Sequence, residues 1–231
     1  MKKKNQRGKR MRKRKFSNLY KYGLVLEKES QVFFMDLYKR VEIKNLFSNK
    51  KILDLGCGIG AEPIVLSKFA KLVVGVDIIE HKEWEIFKSR KIKFQKASST
   101  KLPFKDNAFD GVYLKDLLHH IKGINKTFEE IKRVTKANGD IVIVEANRYN
   151  PIFYVYVTTL KGHDHFTQNE FKDLIKNNFP NSKFIYLEAY PPFRFPMKVY
   201  KFIQKIEKKI NRIHFLRSIF CYNVAIIKNI K

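Results

Sequence analysis

The stretch ILDLGCGIG, Ile52 to Gly60, decides how the rest of this chain is read. A short apolar run carries Asp54 near its end, and glycine then takes every second position: Gly56, Gly58 and Gly60. The residues that follow, AEPIVLSKFA, have helical spacing. Strand, glycine turn and helix open a nucleotide-binding α/β unit, in which glycine permits the tight turn, close ligand approach and close helix–strand packing. Asp77 ends the next apolar run, 21 residues after Gly56. A carboxylate there can accept hydrogen bonds from both hydroxyls of a ribose. Residues 56–61 also satisfy the G-x-G-x-x-G/A pattern of dinucleotide sites, so the glycines alone leave two readings. Asp54 separates them. At the mouth of the turn its charge would repel a pyrophosphate and hold a ligand carrying an ammonium and a sulfonium. The alternative for Asp54 is a plain turn-capping aspartate.

Outward from this turn, short apolar runs alternate with amphipathic ones. Strands are expected at 51–55, 71–76, 92–95, 111–114, 140–144, 183–187 and 222–227. Helices are expected at 61–70, 82–89, 117–120, 124–135 and 167–177, and residues 20–47 also have helical spacing, with Val32, Phe33, Leu37 and Val41 on one face. Gly139 reads as the stop of the helix before it. The alternation predicts an α/β fold with a mostly parallel sheet covered on both faces.

With these elements in place, the chain resembles the class I S-adenosylmethionine-dependent methyltransferases, type 11 group, which includes quinone-biosynthesis enzymes. ILDLGCGIG resembles that family's first motif and VVGVDII (73–79) its second. KLPFKDNAFDGVYLKDLLHHI (101–121), EEIKRVTKANGDIVIVEAN (129–147) and FTQNEFKDLIKNNFP (166–180) follow in the family's order. The resemblance covers about residues 50–187 and implies a Rossmann-like, seven-stranded sheet whose last strand is antiparallel. It implies S-adenosylmethionine as cofactor, with Asp54, Gly56, Cys57, Gly58, Asp77, Ile78, Ser98, Ser99 and Lys115 as the residues that bind it. Where relatives carry Gly-Asp before the LPF, this chain has Ala97-Ser98, which predicts weaker adenine recognition. Lys115 stands near the methionine end of the ligand, so its ammonium is expected to point away or to pair with Asp116.

Methyl transfer needs a base only when the acceptor must lose a proton. Candidates are His120 and Glu145, the latter at the end of the fifth strand, with His119 and the pair His163 and His165 nearby. Two histidines two apart make a weak ligand set, and no metal is expected.

Forty-eight basic residues against 22 acidic ones give a net charge of +26. Ten of them lie in residues 1–15 without an acid, and ten in 192–231 against Glu207 alone. The expected organisation is a basic, disordered tail at 1–15 and a single domain at 16–231. Within that domain, 147–166 reads as an aromatic lid and 192–220 as a basic amphipathic helical insertion. No run approaches the roughly 18 apolar residues of a membrane span. Two cysteines, Cys57 and Cys221, and no secretory signal suggest a cytoplasmic protein, peripheral at a membrane surface if the insertion docks there. The basic ends suit an anionic membrane or nucleic acid. Three functions stay open: methyl transfer to a small-molecule or lipid-linked acceptor, RNA methylation, and cofactor binding without catalysis. The oligomeric state is not legible.

Overall fold

Alternation at every second residue sorts the sheet's side chains onto two cores. Ile52, Val73, Val142 and Val224 bury themselves on one face, and Leu53, Val74, Ile141 and Ala225 on the other. The computed structural model describes residues 37–148, 154, 165–187, 197–210, 213, 216 and 222–228. The strands are β1 (Lys51–Leu55), β2 (Leu72–Asp77), β3 (Ile92–Lys96), β4 (Phe109–Lys115), β5 (Thr135–Ala146), β6 (Lys183–Leu187) and β7 (Tyr222–Ile227). They form one sheet in the order β3-β2-β1-β4-β5-β7-β6. β1 to β5 are parallel, and β7 runs antiparallel to both β5 and β6. This is the expected seven-stranded architecture, and its strand order reverses beside β1, where open α/β sheets form a ligand crevice.

The helices are α1 (Ile43–Phe47), α2 (Ala61–Leu66), α3 (Trp84–Phe87), α4 (Ile124–Val134), α5 (Gln168–Asn178) and α6 (Met197–Ile210). Phe128 and Ile131 of α4, with Phe171 and Ile175 of α5, press on the β4–β7 side of the sheet and are fully buried. α5 starts where its sequence says it should. Thr167 Oγ1 accepts from Glu170 N at 3.2 Å while Glu170 Oε2 accepts from Thr167 N at 2.8 Å, a reciprocal cap.

Several expectations change. The long helix over 20–47 is broken, because Glu42 adopts left-handed φ 56° between a helical segment at 37–40 and α1. Leu37 and Val41 are buried as that stripe required, whereas Val32 and Phe33 lie outside the described residues. α2 and α3 are shorter than expected, and 118–120 makes only a single 3-10 turn. Gly139 does not stop a helix. α4 ends at Val134, Thr135 already pairs with Phe109, and the register shifts before Asp140 meets Gly111. Glycine is needed at 139 for room, since a Cβ would meet Thr135 Cγ2 at 2.4 Å. The tail at 1–15 and almost all of the lid at 147–166 lie outside the described residues.

Candidate active site

The three glycines of the turn all have positive φ: 79°, 49° and 98° at Gly56, Gly58 and Gly60. Their surroundings differ. A Cβ on Gly56 would strike Leu117 Cδ1 at 2.7 Å, and one on Gly60 would strike Phe94 Cζ at 2.7 Å. Those two glycines are required by the protein's own side chains. Gly58 has no described atom within 4 Å of the Cβ position and faces open space. Its N–H donates to Asp77 Oδ2 at 2.8 Å, and its carbonyl accepts from Trp84 Nε1 at 2.7 Å. Trp84 stacks on Phe94 with ring centroids 5.1 Å apart and 8° between planes. The turn is therefore held from below by an aromatic pair and from the side by a carboxylate.

Cys57 does not belong with the ligand-facing residues. Its thiol is buried against Gly75, its N–H donates to Val76 O, and its carbonyl accepts from Gly60 N. Burial, with Asp54 and Asp77 nearby, pushes the thiol pKa far up, so it is a packed hydrophobe and not a thiolate.

Beyond the turn lies a cavity of about 310 Å³ lined by Asp77, Ile78, Ser98, Ser99, Leu117 and His120, among others. Asp77 Oδ1 also accepts from Ile79 N at 3.0 Å, which fixes the carboxylate at the rim. Ile78 is 65% exposed there, an apolar side chain left wet at the mouth. Ser98 Oγ accepts from Thr100 N and shares a hydrogen bond with Thr100 Oγ1, so its acceptor capacity is largely used. Ser99 Oγ is bonded to Thr127 Oγ1.

Behind the turn sits an acidic pocket. Asp54 is 2% exposed, and its Oδ2 has no hydrogen-bond partner among the described residues. Burial raises its pKa well above the usual carboxylate range, and the charge of Glu62 adds to this. Lys115 turns to Asp116 at 2.6 Å and lies 3.6 Å from Glu62, as the pairing expectation required. Burial opposes its charge, but Asp116, Tyr222 and Glu62 outweigh that and hold its pKa high. Lys115 is thus a partner of the acids and does not line the cavity.

Glu145 is fully buried at the end of β5. One oxygen accepts from Leu117 N at 2.8 Å and Leu118 N at 2.6 Å, and the other lies 2.7 Å from His119 Nδ1. Asp116, left-handed at φ 51°, turns the chain out of β4 so that these amides can point back at Glu145. Burial raises the Glu145 pKa, while its bonds to His119 and the amides pull against that. The sequence reading named His120 beside Glu145, but the geometry gives that place to His119. His120 stands on the cavity wall, with its ring 3.9 Å from that of His119, and His165 lies 4.1 Å from His119 on its own side. Ligand atoms of His119, Glu145 and His165 come within 4.8 Å of one another. The 2.7 Å separation of Nδ1 and Oε2 is that of a hydrogen bond. His163 lies outside the described residues.

The arrangement fits S-adenosylmethionine. An orphaned buried carboxylate suits a cationic amino acid, Gly58 leaves room for close approach, and Asp77 beside an exposed Ile78 suits an adenosine. Neither Trp84 nor Leu117 was singled out from the sequence. The lone tryptophan, a few residues past the ribose acid, was the available signal.

Residues 53–143 match the family model described as a methyltransferase domain. An uncharacterised protein of Methanocaldococcus jannaschii is 35% identical over 105 residues, which are 44% of this chain and 44% of that one. Phosphoethanolamine N-methyltransferase 3 of Arabidopsis thaliana is 29% identical over 137 residues, 54% of this chain and 27% of that one. The chain therefore spans less than half the length of these curated relatives. A solved S-adenosylmethionine-dependent methyltransferase from Archaeoglobus fulgidus superposes with TM-score 0.57 at 19% identity, covering 84% of this chain and 93% of that one, a likeness of fold. Strand order, glycine turn and the match over residues 53–143 together make this part of the chain similar to a methyltransferase domain, in the fold of solved S-adenosylmethionine-dependent methyltransferases.

Proposed function

We propose that the protein transfers a methyl group from S-adenosylmethionine to a small-molecule acceptor, free or lipid-linked. The observation that carries this reading is the buried Asp54 Oδ2, which has no hydrogen-bond partner among the described residues and lies within the field of Glu62, near the end of the strand that opens into the glycine turn. Lys115 is engaged by Asp116 and Glu62, so a further cation suits the Asp54 oxygen.

When bound, the cofactor supplies a methyl group made electrophilic by positive sulfur. The chain's own residues then have four tasks. Asp54 neutralises the ligand's ammonium. Asp77, already oriented by Gly58 N and Ile79 N, accepts from the ribose hydroxyls with its remaining lone pairs. Ile78 and the cavity wall exclude water from the adenine. His119, fixed by Glu145, takes up the acceptor's proton where the acceptor carries one. The relative named for phosphoethanolamine methylation supports a small polar acceptor by analogy of domain only.

Calorimetric titration with S-adenosylmethionine tests the first half, with affinity in the micromolar range expected, about −8 kcal/mol. Tight NADH binding without response to S-adenosylmethionine overturns it. Transfer of labelled methyl groups to fractionated extract tests the second half. Label entering the small-molecule or lipid fraction is expected, and label entering RNA alone overturns that part.

A further inference from the structure

Among the departures of the chain from the sheet at its ligand-bearing edge are those after β5 and after β6. β6 and β5 both run antiparallel to β7, so they point the same way, and Leu187 ends β6 at the edge that carries Asp54, Asp77 and Glu145. Tyr222 opens β7 there, opposite both Ala146 and Leu187. The excursion between them, which contains α6, therefore starts and returns at the mouth of the candidate active site.

On α6, Val199, Phe202 and Ile206 are 40%, 63% and 43% exposed, at spacings of three and four that align them in one stripe. Ile213, three residues past the helix, is 43% exposed. Lys198, Lys201, Lys205 and Lys209 are exposed on the adjoining face. An apolar stripe left in water beside a row of ammonium groups needs a partner that offers hydrocarbon and negative charge together. A second copy of the chain offers the stripe but brings its own lysines against these, in a protein of net charge +26. A nucleic acid offers phosphates, but of this stripe Phe202 alone presents an aromatic face for a base, and Val199 and Ile206 would stay in water. No described helix is long and apolar enough to cross a membrane. A helix of this pattern lies in the interface.

We infer that α6 is a docking helix that seats the mouth of the active site on an anionic phospholipid surface. Val199, Phe202 and Ile206 enter the acyl boundary, and the lysines engage the headgroups. The acceptor then reaches His119 from the bilayer side. The surface exists whether or not methyl transfer occurs, so its test uses no activity.

Sedimentation of the full chain with phosphatidylcholine vesicles, with and without phosphatidylglycerol, is the direct experiment. Binding to the anionic vesicles is expected to persist in part at high salt, and Phe202→Ser with Ile206→Ser to weaken it about tenfold or more. S-adenosylmethionine affinity should be unchanged in that variant. Equal vesicle binding by variant and parent assigns the association to other cations and overturns the inference. So does loss of a concentration-dependent dimer in the variant, or binding to RNA in preference to vesicles. If the double variant unfolds, Phe202→Trp decides. Its added emission is expected to shift to the blue on anionic vesicles, and no shift overturns the docking.

Discussion

The two halves of the sheet's ligand edge are built on different terms. On the β1–β2 side, several separate groups share the work: Asp77 and Trp84 hold Gly58, Phe94 backs Trp84, and Val76 holds Gly56 and Cys57. On the β4–β7 side, one buried carboxylate, Glu145, fixes a turn nearly 30 residues away and aims a histidine. The first half is over-determined by many small contacts. Among the described residues, the second rests on a single buried carboxylate.

Breaking the second half should cost most. Glu145→Ala strands two buried amides and removes the partner of His119. A loss of about 3–5 kcal/mol is expected in denaturant unfolding, with Gln in its place costing less. A loss near zero would show that the turn at 117–120 holds itself.

On the first half, stability and binding should separate. Asp54→Asn removes a buried charge that burial and Glu62 disfavour, so the unliganded melting temperature should hold or rise. Affinity for S-adenosylmethionine should meanwhile fall about a hundredfold, roughly 2.7 kcal/mol. The same raised pKa fixes a sign. Neutral Asp54 suits the empty fold, so its contribution to stability is present at low pH and declines as pH rises through its folded value. The cationic ligand needs the charged form. Binding should then release protons near that pH, measurable by titration in buffers of different ionisation enthalpy, and the Asn variant should release fewer.

Asp77→Ala is expected to weaken cofactor binding by about 1.5–3 kcal/mol in calorimetry, and it should also cost some stability because the amides of Gly58 and Ile79 lose their acceptor.

The smallest effect lies away from both halves. Arg133 bonds Glu130, Asp106 and the carbonyls of Leu102 and Phe104. Its hydrogen bond holds the Glu130 carboxyl below the usual range, so that contribution is present above the ordinary glutamate value and lost as pH falls through the lowered one. Arg133→Met should flatten the acid limb of a melting-temperature profile by a few degrees at most, on the order of 1 kcal/mol.

The same asymmetry governs what the sequence discloses. Asp54, the glycines and Asp77 sit in one continuous strand–turn–helix–strand unit, where chain order is close to spatial order, so their spacing predicts their meeting. The strands were legible because apolar residues alternate or run together. Gly56 and Gly60 could not be told from Gly58, because the reason for them is Leu117 and Phe94, brought in from 61 and 34 residues away. Likewise the choice between His119 and His120 depends on which imidazole a 3-10 turn swings toward β5, and helical periodicity alone does not fix it. Cys57 was misplaced for a third reason. Alternation in a turn of positive φ no longer sends neighbouring side chains where a strand would.

The position of β7 bears on how the chain assembles. The last strand made lies between β5 and β6, not at the sheet's edge. Until Tyr222–Ile227 has left the ribosome, β6 has no strand to pair with, and β5 presents an open ladder of Val142, Ile143 and Val144, all fully buried in the finished protein. The nascent chain thus carries a sticky edge from the completion of β5 until β7 emerges. A stop between residues 146 and 222 should yield a species that recruits a foreign strand, through chaperones or through aggregation.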